Sequence, residues 1–286
     1  MHRIQSLSFD YNGYPLAIEQ HGERGEAIIL VHGILLDAYV NRDIAQALVS
    51  AGYQVFLLDL LGHGRSATST DATLYRVDFF AEQLLAAMDH LQLKTAILGG
   101  LSLGTITALQ VAAQAPERVS AMLLEMPVME HATPAAALML VPVLLAARYA
   151  APLYRPIARA IDKLPRPKTH VWHSLVNAVV RDPEVTSAIL HGTLVGPVVP
   201  SARQRRAIQV PTLVIGHLGD WLHPFDDARA LATDLPNAQF LKADSILELR
   251  TRPQRLMPQI VAFLQGAAAT KPKQKTTPVK RKAGKS

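Results

Sequence analysis

The stretch GGLSLG, residues 99–104, holds one serine at the spacing G-x-S-x-G, after the apolar run TAILGG and before the helix-like run ITALQVAAQAP. The spacing alone is weak, because glycine and serine are common residues. Its context gives it weight. A strand that turns sharply into a helix needs small residues on both sides of the turn, since bulk there would strike the neighbouring strand and helix. Ser102 is therefore read as a hydroxyl presented at a strand-to-helix turn, which raises the question of what takes its proton.

Working outward, AIILVHG and YQVFLLDLLGHG are short, continuously apolar runs separated by the helix-like DIAQALVSAG. Helical periodicity returns in FFAEQLLAAMDHLQL, and AMLLEMP reads as another buried strand. Strands apolar on both faces, alternating with helices, specify an α/β fold with a mostly parallel sheet and helices on both faces. At the start of the chain, Asn12-Gly13 between SLSFDY and YPLAIEQ predicts a hairpin with a type I′ turn. The alternation stops after Glu125. Residues 128–208 give helix-like stretches interrupted by Pro142, Pro152, Pro156, Pro165 and Pro167, and predict a helical cap or lid inserted over the sheet's C-terminal edge. The sheet pattern resumes with VPTLVIG, DDARALATDL, AQFLKA and PQRLMPQIVAFLQ. The expected organisation is a core at 1–127 and 209–266, a lid at 128–208 and a disordered basic tail at 267–286.

Composition narrows the function classes. Of 286 residues, 49% are hydrophobic and 18% charged, which fits a compact chain with a sizeable core. There are no cysteines, so disulfides and thiolate metal sites are excluded, and a reducing, cytoplasmic location is expected. The opening MHRIQSLSFDYNG has no apolar region of the kind a secretory signal needs. The longest apolar run, 134–147, is interrupted by Pro142 and too short to cross a bilayer, so no transmembrane segment is expected. That run is read as buried or lid-forming, with contact to a lipid surface as the alternative.

The tail carries seven Lys or Arg and no acid, which exceeds the whole chain's net charge of +6 and leaves the body at −1. Basicity confined to such a segment reads as a solubilising end, and no specific nucleic-acid partner is expected. H-E-x-x-H, G-x-G-x-x-G and Walker patterns are absent, and His170 and His173, one helical turn apart, lack a third ligand, so neither cofactor nor metal is expected.

VHG at 31–33, LDLLGHGRS at 58–66 and GLSLG at 100–104 occur in this order, and on them the chain resembles the α/β-hydrolase family over about residues 7–265. The resemblance implies the fold strongly and the reaction less so, since that fold hosts esterases, lactonases, thioesterases, dehalogenases, haloperoxidase-like enzymes and binding proteins. It implies an oxyanion hole made by the main-chain amides of Leu103 and Ile34, with the helix beginning at Leu103 adding its positive end. His32 and His63 belong to their motifs as packing and turn residues. The family's acid follows the seventh strand, where PTLVIGHLGD places Asp220; Glu125, after the sixth strand, is the alternative, and Asp226 and Asp227 read as first-turn helix residues.

The base is where the pattern breaks. The family's histidine follows the eighth strand, and the corresponding loop here, FLKADSILELR, has none; Asp244 stands about there. A carboxylate with a pKa of about 4 is a poor base for a serine hydroxyl and would repel Asp220. Three readings follow. His223, in DWLHP on the loop that bears Asp220, takes the role, or His217, His170, His173 or His191 does. Alternatively the chain is a catalytically impaired ligand-binding or interaction member of the fold. Lastly, Asp244 joins Ser102 in some other reaction. The expectation carried forward is a serine hydrolase that cleaves an ester, thioester or lactone of a small to medium apolar substrate through an acyl-enzyme. In it Ser102 attacks, Asp220 orients His223, and Ile34 and Leu103 hold the oxyanion. Leu138, Leu144, Leu145 and Trp172 are candidates for lining an apolar pocket, with core packing as the alternative.

Overall fold

A computed structural model of the chain describes residues 4–196 and 199–269. The chain opens with a hairpin of β1 (Ile4–Tyr11) and β2 (Tyr14–His21), antiparallel in the register Tyr11 to Tyr14. Asn12 and Gly13 have φ of 53° and 85°, the two successive positive values of a type I′ turn. Then come β3 (Ala27–Val31), α1 (Arg42–Ser50), β4 (Gln54–Leu58), α2 (Val77–His90), β5 (Ala96–Leu101), α3 (Leu103–Gln114) and β6 (Val119–Glu125). Five helices are inserted here: α4 (Thr133–Tyr149), α5 (Ala151–Asp162), α6 (His170–Val180), α7 (Pro183–Val195) and α8 (Ala202–Ala207). The chain returns to the sheet with β7 (Thr212–His217), α9 (Phe225–Asp234), β8 (Ala238–Ala243), α10 (Glu248–Thr251) and α11 (Met257–Ala269).

The eight strands form one sheet in the order β1-β2-β4-β3-β5-β6-β7-β8. β1, β2 and β4 pair antiparallel, and every pairing from β4 across to β8 is parallel. The mostly parallel sheet with helices on both faces is as the alternating pattern predicts. Successive side chains of a strand point to opposite faces. Ile29 and Val31 accordingly join one apolar layer with Phe80 of α2 and Leu109 of α3. Ile28 and Leu30 join the other, with Leu48 of α1 and Phe263 of α11. Because β3 to β7 run parallel, the loops after β3, β5, β6 and β7 leave from one edge, the usual place for a ligand in such sheets.

The prolines act less uniformly than the sequence suggests. Pro152 lies in the first turn of α5, while Pro142 and Pro156 sit inside α4 and α5 without ending them. Both are exposed, so a carbonyl left without its helical donor can bond to water. The last helix begins at Met257 and runs to Ala269, so residues 267–269, expected in the tail, are helical; the remainder of the tail, 270–286, lies outside the described residues.

Candidate active site

Ser102 stands between β5 and α3 with φ 52° and ψ −106°, a conformation L-residues rarely adopt. Holding a non-glycine residue there costs about 1–3 kcal/mol. The surroundings enforce it. The Ser102 N–H donates to the Glu125 carbonyl at 3.0 Å, and the Thr105 hydroxyl bridges the carbonyls of Gly100 and Glu125 at 3.0 and 2.9 Å. The flanking glycines are sterically required, because a Cβ at Gly100 or Gly104 would lie 2.1 or 2.3 Å from the Val31 carbonyl oxygen.

The loop after β7 brings Asp220 and His223 together. Asp220 Oδ1 accepts the N–H groups of Leu222 and His223 at 2.9 and 3.0 Å, folding a turn around its own carboxylate. Its Oδ2 lies 2.7 Å from His223 Nδ1, and His223 Nε2 lies 2.9 Å from Ser102 Oγ. With Nδ1–H donated to Asp220, the imidazole presents a lone pair to the serine hydroxyl. Burial opposes ionisation of Asp220. The hydrogen bond and charge of His223, with the two backbone N–H groups, outweigh that and hold the carboxyl below its ordinary value.

The loop after β3 carries Ile34 and is tied down by two histidines. His63 Nε2 accepts the Leu35 N–H at 3.2 Å while its Nδ1 donates to Leu61 O at 2.9 Å. Reciprocally, His32 Nε2 accepts the Leu60 N–H at 3.1 Å and its Nδ1 donates to Gly33 O at 2.8 Å. Both roles require neutral rings. Burial supplies the condition, lowering His32 to about 4 and His63 well below its ordinary value, with the charge of nearby Arg181 adding to both. Arg181 donates to Leu35 O at 2.8 Å, and Ser174 of α6 accepts the Asp37 N–H at 3.0 Å, so the inserted segment also braces this loop. Among the described residues, no acceptor takes the N–H of Ile34 or of Leu103.

A cavity of about 450 Å³ opens over Ser102, Asp220 and His223. Its walls are apolar: Leu36, Leu101 and Met126 from the core, Met139, Leu140 and Val143 from α4, and Val171, Leu175 and Ala178 from α6. The sequence named the wrong side chains here. Leu138, Leu145 and Trp172 are exposed, and Leu144 is not among the lining residues. α4 is apolar all round, so hydrophobicity alone could not say which face looks inward.

The other candidates have partners elsewhere. Glu125, the alternative acid, is fully buried and bound by both guanidinium nitrogens of Arg250 at 2.5 and 2.8 Å. His217 Nε2 lies 3.0 Å from the same carboxylate, off the axis of a well-directed hydrogen bond. Burial opposes the charge of Glu125, but Arg250 and His217 outweigh it and hold the group at about 2. Asp244 is exposed, pairs with Arg255 at 3.2 Å and Lys242 at 3.7 Å, and does not line the cavity. His170 pairs with Asp43, His173 stacks on Tyr39, and His191 lines a separate pocket beside Tyr149 and Glu184. Among the described residues, no group of three or more His, Asp or Glu side chains could hold a metal ion. Arg250, in the short helix α10, carries no sequence signal that points to Glu125.

Residues 26–245 match the family model described as alpha/beta hydrolase fold. An epoxide hydrolase of Caballeronia sordidicola is 32% identical over 118 residues, which are 41% of this chain and 36% of that protein, so the chain spans about a third of that relative's length. A monoacylglycerol lipase of Mycolicibacterium smegmatis is 29% identical over 222 residues, covering 71% of this chain and 73% of that protein. Among solved structures, the enol-lactonase from Burkholderia xenovorans LB400 has a TM-score of 0.73 at 22% identity, covering 91% of this chain and 100% of that one.

Proposed function

The chain belongs to the α/β-hydrolase fold family, and from that premise we propose that it is a serine hydrolase of ester-like bonds in small to medium apolar substrates. His223 takes the hydroxyl proton as Ser102 Oγ attacks the substrate carbonyl. The amides of Ile34 and Leu103, with the N-terminal end of α3, stabilise the oxyanion as charge develops there. Asp220 keeps the imidazole in the required tautomer and offsets the charge of the imidazolium. His223 then protonates the leaving group, and a water activated by the same ring hydrolyses the acyl-enzyme.

The observation that carries this reading is the 2.9 Å contact between His223 Nε2 and Ser102 Oγ. It favours the hydrolase over an impaired binding member of the fold, a reading that rests on the missing histidine after β8. The apolar walls favour a hydrocarbon acyl group, and α4 and α6 serve as the lid that excludes water from it. The monoacylglycerol lipase relative supports an ester of that class.

The test is labelling by a fluorophosphonate probe together with turnover of p-nitrophenyl esters. Wild type is expected to do both and Ser102→Ala neither. A wild type no better than Ser102→Ala in both assays overturns the proposal.

A further inference from the structure

We infer that the outer face of α4 and α5 is a docking surface for an anionic lipid bilayer, set beside the mouth of the Ser102 cavity. Leu138, Pro142, Leu145 and Tyr149 recur at i, i+4, i+7 and i+11, which places them on one stripe of α4, and all four are exposed. Leu138 and Tyr149 are 75% and 74% exposed. Met139, Leu140 and Val143 of the same helix line the cavity. A helix apolar on both its inner and outer faces is buried in ordinary soluble domains. Here its outer face is bare, and the apolar surface continues after a bend of 99° onto α5, where Leu153 and Ile157 are 75% and 58% exposed.

Charge says what covers it. Residues 133–168 hold six Lys or Arg and a single acid, Asp162. Arg155 and Arg166 are engaged by Glu184 and Asp162, whereas Arg148, Arg159, Lys163 and Lys168 make no ion pair among the described residues. Arg159 of α5 and Lys163 at its C-terminal end lie to one side of the Leu153 and Ile157 stripe, where their charges can reach a headgroup layer while the apolar side chains enter the acyl boundary. A second copy of the chain would bring the same positive charges face to face, which disfavours self-association through this surface. No single described helix is long and apolar enough to cross a membrane, and α4 and α5 together reach that length and apolarity only with the 99° bend between them.

The cavity mouth is apolar as well. Val143, Leu175 and Trp221 both line the cavity and are 41%, 38% and 60% exposed. An acyl chain that enters the cavity passes these side chains on its way to Ser102. Docking stands independently of the hydrolase reading. The substrate class it suggests, an ester of a long acyl chain drawn from the lipid phase, rests on that reading.

The test uses the full chain carrying Ser102→Ala, so that binding is read without turnover. It is mixed with vesicles of phosphatidylcholine, with or without an equal amount of phosphatidylglycerol, and the same is done after adding Leu153→Glu and Ile157→Glu. Cosedimentation with the anionic vesicles is expected, weakened roughly ten-fold or more by the two glutamates. The chain's two tryptophans are Trp172 and Trp221, both exposed, so their emission is expected to shift to the blue on docking. In a chain with Ser102 intact, the glutamates should leave turnover of a soluble short-chain ester unchanged. Equal binding with and without the glutamates, as the basic tail alone would give, overturns the proposal. So does dimerisation abolished by the glutamates in a chain that ignores vesicles.

Discussion

Two neighbouring loops at the carboxyl edge of the sheet are put to different uses. The loop after β7 folds around the Asp220 carboxylate and delivers His223 to within 2.9 Å of Ser102. The segment after β8 sends Asp244 outward to Arg255, and Glu248 accepts the Asp244 N–H at 2.5 Å and pairs with the same arginine. One turn later Arg250 reaches inward to Glu125. The first loop carries the polar side chains beside Ser102, while the second adds Ile246, Leu247 and Arg250 to the cavity wall and locks strand ends and loops together through Arg250 and Glu248. What a base must satisfy is distance to the hydroxyl, and chain order is only a proxy for it.

The largest effects should come from the first loop. His223→Ala removes the proposed base and is expected to lower kcat/KM for p-nitrophenyl esters about ten-thousand-fold. Asp220→Asn keeps an Oδ1 acceptor for the Leu222 and His223 amides, so the turn persists while the charge and the tautomer control are lost. A loss of about a thousand-fold with an unchanged Tm is expected. Activity in His223→Ala near that of wild type would show that a different group serves Ser102.

The second loop should answer in stability. Arg250→Met leaves the Glu125 carboxylate buried with only His217 beside it, and breaking a buried pair from one side costs about 3–5 kcal/mol. The drop should appear as a lowered midpoint in urea, and Glu125→Gln added to Arg250→Met should recover much of it. If Arg250→Met instead lowers only turnover and leaves the midpoint alone, the division between the two loops fails.

These contrasts also show what the sequence could and could not display. The strands and the helices of the core were readable because periodicity is local, and the elbow because Gly100 and Gly104 answer a steric demand of adjacent backbone. Asp220 and His223 were readable as candidates, being three residues apart. Their approach to Ser102 was not, because 121 residues separate His223 from it. The same holds for Arg250 and Glu125, which are 125 apart, and for the inward face of α4, where every side carries apolar residues.

A smaller effect concerns pH and the loop that carries Ile34. His32 and His63 are neutral in the folded chain and protonate with an ordinary pKa of about 6.5 when unfolded. Between about 6.5 and about 4 the unfolded state binds the extra protons, so this contribution to stability is present above that window and lost as pH falls through it. Asp59 acts in the opposite sense. Burial, with the charge of Asp37 adding, raises it to about 7 against the N–H groups of Arg65 and Ala38, so the folded state gains that proton first. Thermal unfolding across the window in wild type and in His63→Gln separates the two. The variant should lose less Tm on acidification, and a larger loss would show that His63 is charged in the folded chain.

The smallest effect is the sharpest test of the comparison. Asp244→His restores a histidine to the segment where the family pattern expects one. If sequence position decided the base, turnover should rise severalfold, and the new imidazole should rescue His223→Ala. The geometry argues otherwise: the Asp244 side chain is 61% exposed and held by Arg255 and Lys242, and that position does not line the cavity. An imidazole there gives up a surface ion pair, which contributes about 0–1 kcal/mol, and gains no path to the Ser102 hydroxyl. Asp244→His is expected to leave kcat/KM within about two-fold of wild type and to leave His223→Ala inactive, because the Nε2 that matters is already aimed by a carboxylate three residues away.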